Sequence, residues 1–139
     1  IWFFKRRKNA LSFLSPSVKY ANKKIAIDEA SSIADRLNIL FGKDQIHINP
    51  HLKLSDVASQ LEIKPHALSQ YLNDNVGMSF SNYINKHRID TAAKMLRSND
   101  LFTLEAIGKE CGFMSNSTFY AAFKKNKEVT PAQFKKSLK

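Results

Sequence analysis

Residues 107–136 read IGKECGFMSNSTFYAAFKKNKEVTPAQFKK, and the fold follows from how this stretch is parsed. A short helix, capped by Thr103, runs from Leu104 towards Gly112 and carries a small residue, Gly108, beside Ile107. Gly112–Phe113 then makes a tight turn with an aromatic plug. SNSTFYAAFKKNK follows as a second helix with Phe119 and Phe123 inward, four apart on one face. Thr130 is an N-cap and Pro131 suits the first position of a third helix. Two helices that cross steeply need a small residue at the contact, so this order of parts suits a helix-turn-helix.

The same order recurs upstream. Slid by 51, YLNDNVGMSFSNY (71–83) falls on AFKKNKEVTPAQF (122–134), so that Leu72 meets Phe123, Gly77 meets Glu128, Ser79 meets Thr130 and Tyr83 meets Phe134. At a shift of 50, Val57 and Ala58 meet Ile107 and Gly108. Ile63 takes the place of Phe113 as the plug. With the apolar residues hidden, the second helix of the first unit shows His66, Ser69, Gln70 and Asn73, and that of the second shows Asn116, Ser117, Tyr120 and Lys124. Ser, Asn and Gln read base edges in a major groove, whereas Lys reads mainly phosphate.

The rest of the chain is read as helical too. From Ile27 the apolar residues Ile33, Leu37, Leu40 and Phe41 recur at three and four, with Asp28 and Glu29 in the first turn and Gly42 as the stop. INPH turns around Pro50. LKLSDVASQLEI is a short helix with Ser55 as N-cap, Asp56 behind it, and Val57, Ala58 and Leu61 inward. KPHALSQYLNDN starts on Pro65, points Leu68, Tyr71 and Leu72 inward, and stops at Gly77. The longest helix, 79–98, lines Phe80, Tyr83, Ile84, His87, Ile89, Ala92, Ala93 and Leu96 along one stripe. No run alternates as a strand between hairpin turns. The expected fold class is all-α, with about seven helices.

The composition narrows the function. The 139 residues carry a net charge of +10, which favours a polyanionic partner, nucleic acid or an anionic membrane surface. Residues 1–24 hold seven cations and no acid, a basic block that opens IWFFKRRK and includes Lys5, Arg6, Arg7 and Lys8. Apolar residues ahead of cations are the reverse of a secretory signal, and the chain has no apolar run of about 20 residues to span a bilayer. The pattern is read either as the cytoplasmic stub of a transmembrane helix cut before Ile1, under the positive-inside rule, or as a basic arm that touches phosphate. The single cysteine, Cys111, excludes an internal disulfide and is read as a buried small hydrophobe. His47 and His51 are four apart with Pro50 between them and no thiolate or acid cluster beside them, so no metal site is expected, and no cofactor. His87 is read as a packed residue of the long helix. A phosphate loop, a serine elbow and a paired-carboxylate cleft are all missing, which leaves an enzyme nothing to rest on.

The stretch 107–136, with its Gly-Phe, Ser-x-x-x-Phe, Phe-Lys and Thr-Pro-x-x-aromatic steps, resembles the signature of AraC/XylS-type transcription regulators, and LSDVASQLEIKPHALSQYLNDNVGMSFSNYINKHRIDTAAKMLRS resembles the first helix-turn-helix and linking helix of that family. The resemblance covers roughly 45–139. It implies two homeodomain-like helix-turn-helix subdomains, 45–78 and 99–139, joined by the helix 79–98, behind a basic flank (1–26) and a leading helix or signalling linker (27–44). It implies double-stranded DNA as partner, with one recognition helix per subdomain, about 34 Å apart along one face of the duplex. By matching positions, base reading falls on His66, Ser69, Gln70, Asn116, Ser117, Tyr120 and Ala121, with Asn73 on the same polar face. Phosphate contact falls on the helix N-termini near Ser55 and Thr103 and on Lys124, Lys125 and Lys135. It also implies RNA polymerase as a partner, activation as the sense of regulation, and a homodimer formed through the region ahead of this domain; the expected location is cytoplasmic, with tethering to the inner membrane expected only on the stub reading of IWFFKRRK. A membrane-tethered receptor output and a non-specific architectural protein are the alternatives. Three positions depart from the family pattern. Glu128 replaces a Gly and either costs about 1 kcal/mol in a left-handed backbone or marks a rearranged loop. Lys135 replaces an Arg, and the first recognition helix carries no Lys or Arg.

Overall fold

The computed structural model describes residues 23–98 and 101–138, with side chains from Ala30 onward. The basic flank with Lys5, Arg6, Arg7 and Lys8 lies outside the described residues. Those residues form seven α-helices and no strand: α1 Lys23–Asn38, α2 Leu54–Leu61, α3 Pro65–Tyr71, α4 Phe80–Ser98, α5 Leu104–Glu110, α6 Asn116–Lys127 and α7 Pro131–Ser137. They fall into two units. One holds the described residues up to Gln45 together with Leu52–Phe80, and the other holds Ile46–His51 together with Ser81 onward. No helix among the described residues is long and apolar enough to cross a membrane.

In the first unit, α1 is described from Lys23, ahead of the expected first turn at Asp28 and Glu29, and KKIAI holds no breaker. Ile33, Leu37, Leu40 and Phe41 are its buried stripe, as their spacing requires. Gly42 does not stop the helix. The chain widens into a π-helical turn, Ile39–Lys43, in which Leu40 and Phe41 are both buried, and Asp44 N–H closes it on Ile39 O at 2.9 Å. The left-handed residue is Gln45, at φ 51°. Val57, Ala58 and Leu61 of α2 and Leu68 of α3 are buried, and α2 packs on α3.

The N-cap of α2 is Lys53, not Ser55. Asp56 is the cause: its carboxylate accepts Lys53 N–H at 2.9 Å and draws the start of the helix back to Leu54. An ammonium cannot accept in return, so only half of a capping box forms. Ser55 is exposed in the first turn.

The second unit is built around one aromatic cluster. Ile89, Ala92 and Leu96 of α4 meet Ile107 of α5, Cys111 at its C-terminal end, Phe113 of the turn, and Phe119, Ala122 and Phe123 of α6. Phe119 and Phe123 are fully buried with ring centroids 6.0 Å apart, and Phe134 of α7 closes on Phe123 at 5.4 Å. The Cys111 thiol points at Met95 Sδ (3.8 Å), and burial pushes its pKa up to about 12, which makes it an inert part of the core.

Candidate nucleic-acid interface

In the first unit α2, a turn and α3 form a helix-turn-helix. Ala58, without any exposed surface, is the small residue in α2. Glu62 turns the chain at φ 55°, and Ile63 N–H closes the turn on Ala58 O at 3.0 Å. Ile63, the expected plug, is only half-buried. Pro65 opens α3, while Leu68 and Leu72 turn inward and Tyr71 is half-buried. His66 and Gln70 are exposed on α3 and Ser69 is partly so. Asn73 is exposed but stands on a π-helical turn, Leu72–Val76, beyond the end of α3. Gly77 ends that turn at φ 78° with its N–H on Leu72 O.

In the second unit α5, a turn and α6 repeat the motif with closer packing. Thr103 Oγ1 accepts Ala106 N–H at 3.1 Å, the expected cap. Gly108 lies so near α6 that an added Cβ would stand 2.8 Å from Phe119 Cδ2, so the crossing requires a glycine. The turn passes through Gly112 at φ 105°, and Phe113 N–H bonds Gly108 O at 3.0 Å. Ser115 caps α6 by accepting Thr118 N–H at 3.2 Å. Asn116, Ser117, Ala121, Lys124 and Lys125 are exposed on α6. Tyr120 is half-exposed and its Oη donates to Glu105 Oε1 at 3.2 Å. Partial desolvation and that carboxylate raise the phenol's pKa, so it stays a donor.

The lysines divide by what they touch. Lys125 Nζ donates to Asn82 Oδ1 at 3.0 Å, and Lys127 pairs with Asp90 at 3.2 Å, so both tie α6 to α4. Lys124 projects into solvent, and Lys135 is half-buried on α7 behind the Thr130–Gln133 capping box. Glu128 ends α6 at φ 66° with its N–H on Lys124 O at 2.8 Å. The left-handed backbone is thus kept in the absence of glycine. A cavity of about 240 Å³ opens where the turn meets α6, between Lys109, Met114 and Asn116, and adds Lys109 to the candidate contacts.

Sequence reasoning missed the role of residues 46–51. A 3-10 turn, Ile46–Ile48, brings His47 to 2% exposure, with Nε2 2.8 Å from Thr91 Oγ1. Since the Thr91 hydroxyl proton is directed at His87 O (3.1 Å), His47 donates and is held as the Nε2–H tautomer. Burial, then the nearby His87 and Arg88, lowers the pKa of His47 to about 4. Arg88 donates from Nε to His47 O (2.7 Å) and from Nη2 to Asn49 O (2.9 Å). The separation of about 40 residues leaves no local pattern that would have pointed to these bonds; the one signal was Gly112, whose crowding only the structure explains. His87 is half-buried with its ring against Tyr83 at 4.6 Å, as expected of a packed residue.

Comparison with known proteins agrees with this geometry. A family model described as "Helix-turn-helix domain" matches residues 57–137. PqrA of Proteus vulgaris, described as a "Probable transcription factor", is 31% identical over 93 residues, covering 67% of this chain and 75% of PqrA. The "Regulatory protein PocR" of Salmonella typhimurium is 27% identical over 92 residues, and the match spans 66% of this chain but only 30% of PocR. The C-terminal domain of AraT, a response regulator from Geobacillus stearothermophilus, superposes with a TM-score of 0.64 at 25% identity, covering 78% of this chain and 84% of that one. The chain therefore belongs to the AraC-type helix-turn-helix family, whose members are DNA-binding transcription regulators and not enzymes.

Proposed function

We propose that this chain is the DNA-reading module of a sequence-specific transcription regulator, with α3 and α6 each entering a major-groove segment. The observation that carries this reading is the recurrence of one motif. In both units a buried small residue and inward Leu or Phe residues leave a polar helix face to solvent: His66, Ser69 and Gln70 on α3, and Asn116, Ser117 and Ala121 on α6. Gln70 and Asn116 have the paired donor and acceptor that an adenine edge requires. Asn73, beyond α3, is better placed to touch the backbone than a base. On α6, Tyr120 adds a phenol whose orientation Glu105 holds.

Phosphate contact falls on Lys124, Lys125 and Lys135, with the first turn of α2 at Ser55 and the Thr103-capped start of α5 as backbone donors. α3 carries no cation, while Lys124 and Lys125 stand in the last turn of α6, where Lys127 is already paired with Asp90. The second unit therefore supplies most of the affinity, and the first contributes mainly discrimination. The reading further implies RNA polymerase as partner, activation as the outcome, and dimerisation through the region ahead of α1.

Salt dependence is the test. Observed affinity for a selected duplex falls with salt on a log–log slope of about −0.9 per phosphate neutralised. Lys124→Ala makes the slope shallower by about one unit and weakens all sequences alike. A flat salt dependence removes the reading.

A further inference from the structure

We infer that residues 46–51 are a working part of the second helix-turn-helix, a strap that Arg88 clamps to α4 and that holds the α5–α6 turn, and hence the start of α6, in its DNA-reading position. The strap lies ahead of the matched span 57–137 and belongs to the same unit as α4–α7. The inference rests on the proposed function for its effect on DNA, though not for its mechanics.

One guanidinium does several things at once. Its two donors fix the carbonyls of His47 and Asn49, and its face lies 5.7 Å from the centroid of the Phe113 ring in the turn. The turn meets the strap and the clamp together. A Cβ on Gly112 would stand 2.6 Å from His47 O, 3.0 Å from Ile48 O and 2.8 Å from Arg88 Nε. Strap, clamp and turn are therefore in direct contact. Phe113 in turn packs on Phe119 of α6 at 5.3 Å, and Asn116, the first residue of α6, follows three residues later. His47, buried against Thr91, gives the strap a second tie to α4. Lysine cannot replace the clamp, since a point charge cannot fork to two carbonyls and lie flat on a ring as well. Arg88 is thus a positioning residue: it acts on DNA through the turn and touches no base itself.

The test uses the full chain with Arg88→Met, Arg88→Lys and Thr91→Val. Amide exchange and base preference against a pool of randomised duplexes are measured for each. In Arg88→Met, exchange at 113–118 rises by about tenfold or more while amides in 54–76 keep their rates, because opening is local to one cooperative unit. Base preference flattens at the half-site read by α6 and survives at the other. Arg88→Lys shows the same pattern, weaker, and Thr91→Val loosens the strap and turn through His47; these two decide the matter if Arg88→Met does not fold. Unchanged exchange at 113–118 overturns the proposal, as does equal loosening of 54–76 or proportionate loss at both half-sites. If the parent chain selects no duplex, the functional reading fails, and the exchange pattern still decides the strap.

Discussion

The two helix-turn-helix motifs both turn and both end on a left-handed residue, and they place glycine at opposite ones of these two positions. In the first, the turn residue is Glu62 at φ 55° and the residue ending the reading helix is Gly77 at φ 78°. In the second, the turn residue is Gly112 at φ 105° and the helix ends on Glu128 at φ 66°. All four are left-handed, so conformation alone does not decide where glycine stands. Crowding does at Gly112, where a Cβ would run into carbonyls of the strap, whereas a Cβ on Gly77 would meet nothing within 4 Å. A left-handed non-glycine costs about 1–2 kcal/mol, which a packed domain can absorb, while a clash with two backbone carbonyls must move the backbone. The second motif is also better capped: Ser115 caps α6, while Lys64 at the same place before α3 makes no side-chain cap.

Exchanging the two turn residues should give the largest effect. Gly112→Ala destabilises the second unit by about 3–4 kcal/mol through crowding plus strain, whereas Glu62→Gly in the first stabilises by under about 1 kcal/mol. Urea unfolding with amide exchange resolves the two. Equal losses for Gly112→Ala and Gly77→Ala would break the comparison.

Acid should separate the units next. Folded His47 stays neutral down to a pKa of about 4, while unfolded it takes a proton near 6.5. The unfolded state therefore binds the extra proton in this window. Stability is full above pH 6.5 and falls towards pH 4, by about 3 kcal/mol from His47. His87, also lowered by burial, acts in the same direction, and Arg88 and Lys94 face the His47 ring while Asp90 opposes them. Amide exchange should show the loss in α4–α7, and His47→Gln should remove most of the slope. A slope unchanged in that variant would contradict the assignment.

Capping comes third. Ser115→Ala costs about 1 kcal/mol, and Lys64→Ser gains somewhat less, as read by thermal unfolding. The smallest effect is at the helix end: Glu128→Gly relieves the left-handed strain and stabilises by about 0.5–1 kcal/mol after the entropy of the unfolded glycine is counted. A loss on Glu128→Gly would mean that the carboxylate has a role the backbone does not reveal.

Periodicity and punctuation made the helical motifs legible in sequence. Phe119 and Phe123, the Thr130–Pro131 start and the Gly77 stop all stand where spacing put them, because a helix face and its caps are local matters. Boundaries set by competition between local signals were read less well. Asp56 reaches back to Lys53 and so overrides Ser55, and a π-helical turn carries the end of α1 past Gly42 to Gln45. The strap was illegible, because INPH looks like any turn around a proline and its partners, Arg88, Thr91 and Gly112, lie on other elements. On the candidate interface, sequence found the exposed faces of α3 and α6. It did not find that Lys125 already rests on Asn82, or that Tyr120 is held by Glu105.

The central claim is that two unequal halves read one duplex, and a base-preference profile from selection on randomised duplexes tests it most directly. The account predicts two blocks of preference about one helical turn apart. Gln70→Ala should flatten one block and spare the other, while Lys124→Ala lowers affinity without changing the profile. A featureless profile, or the same altered profile for both variants, would contradict it.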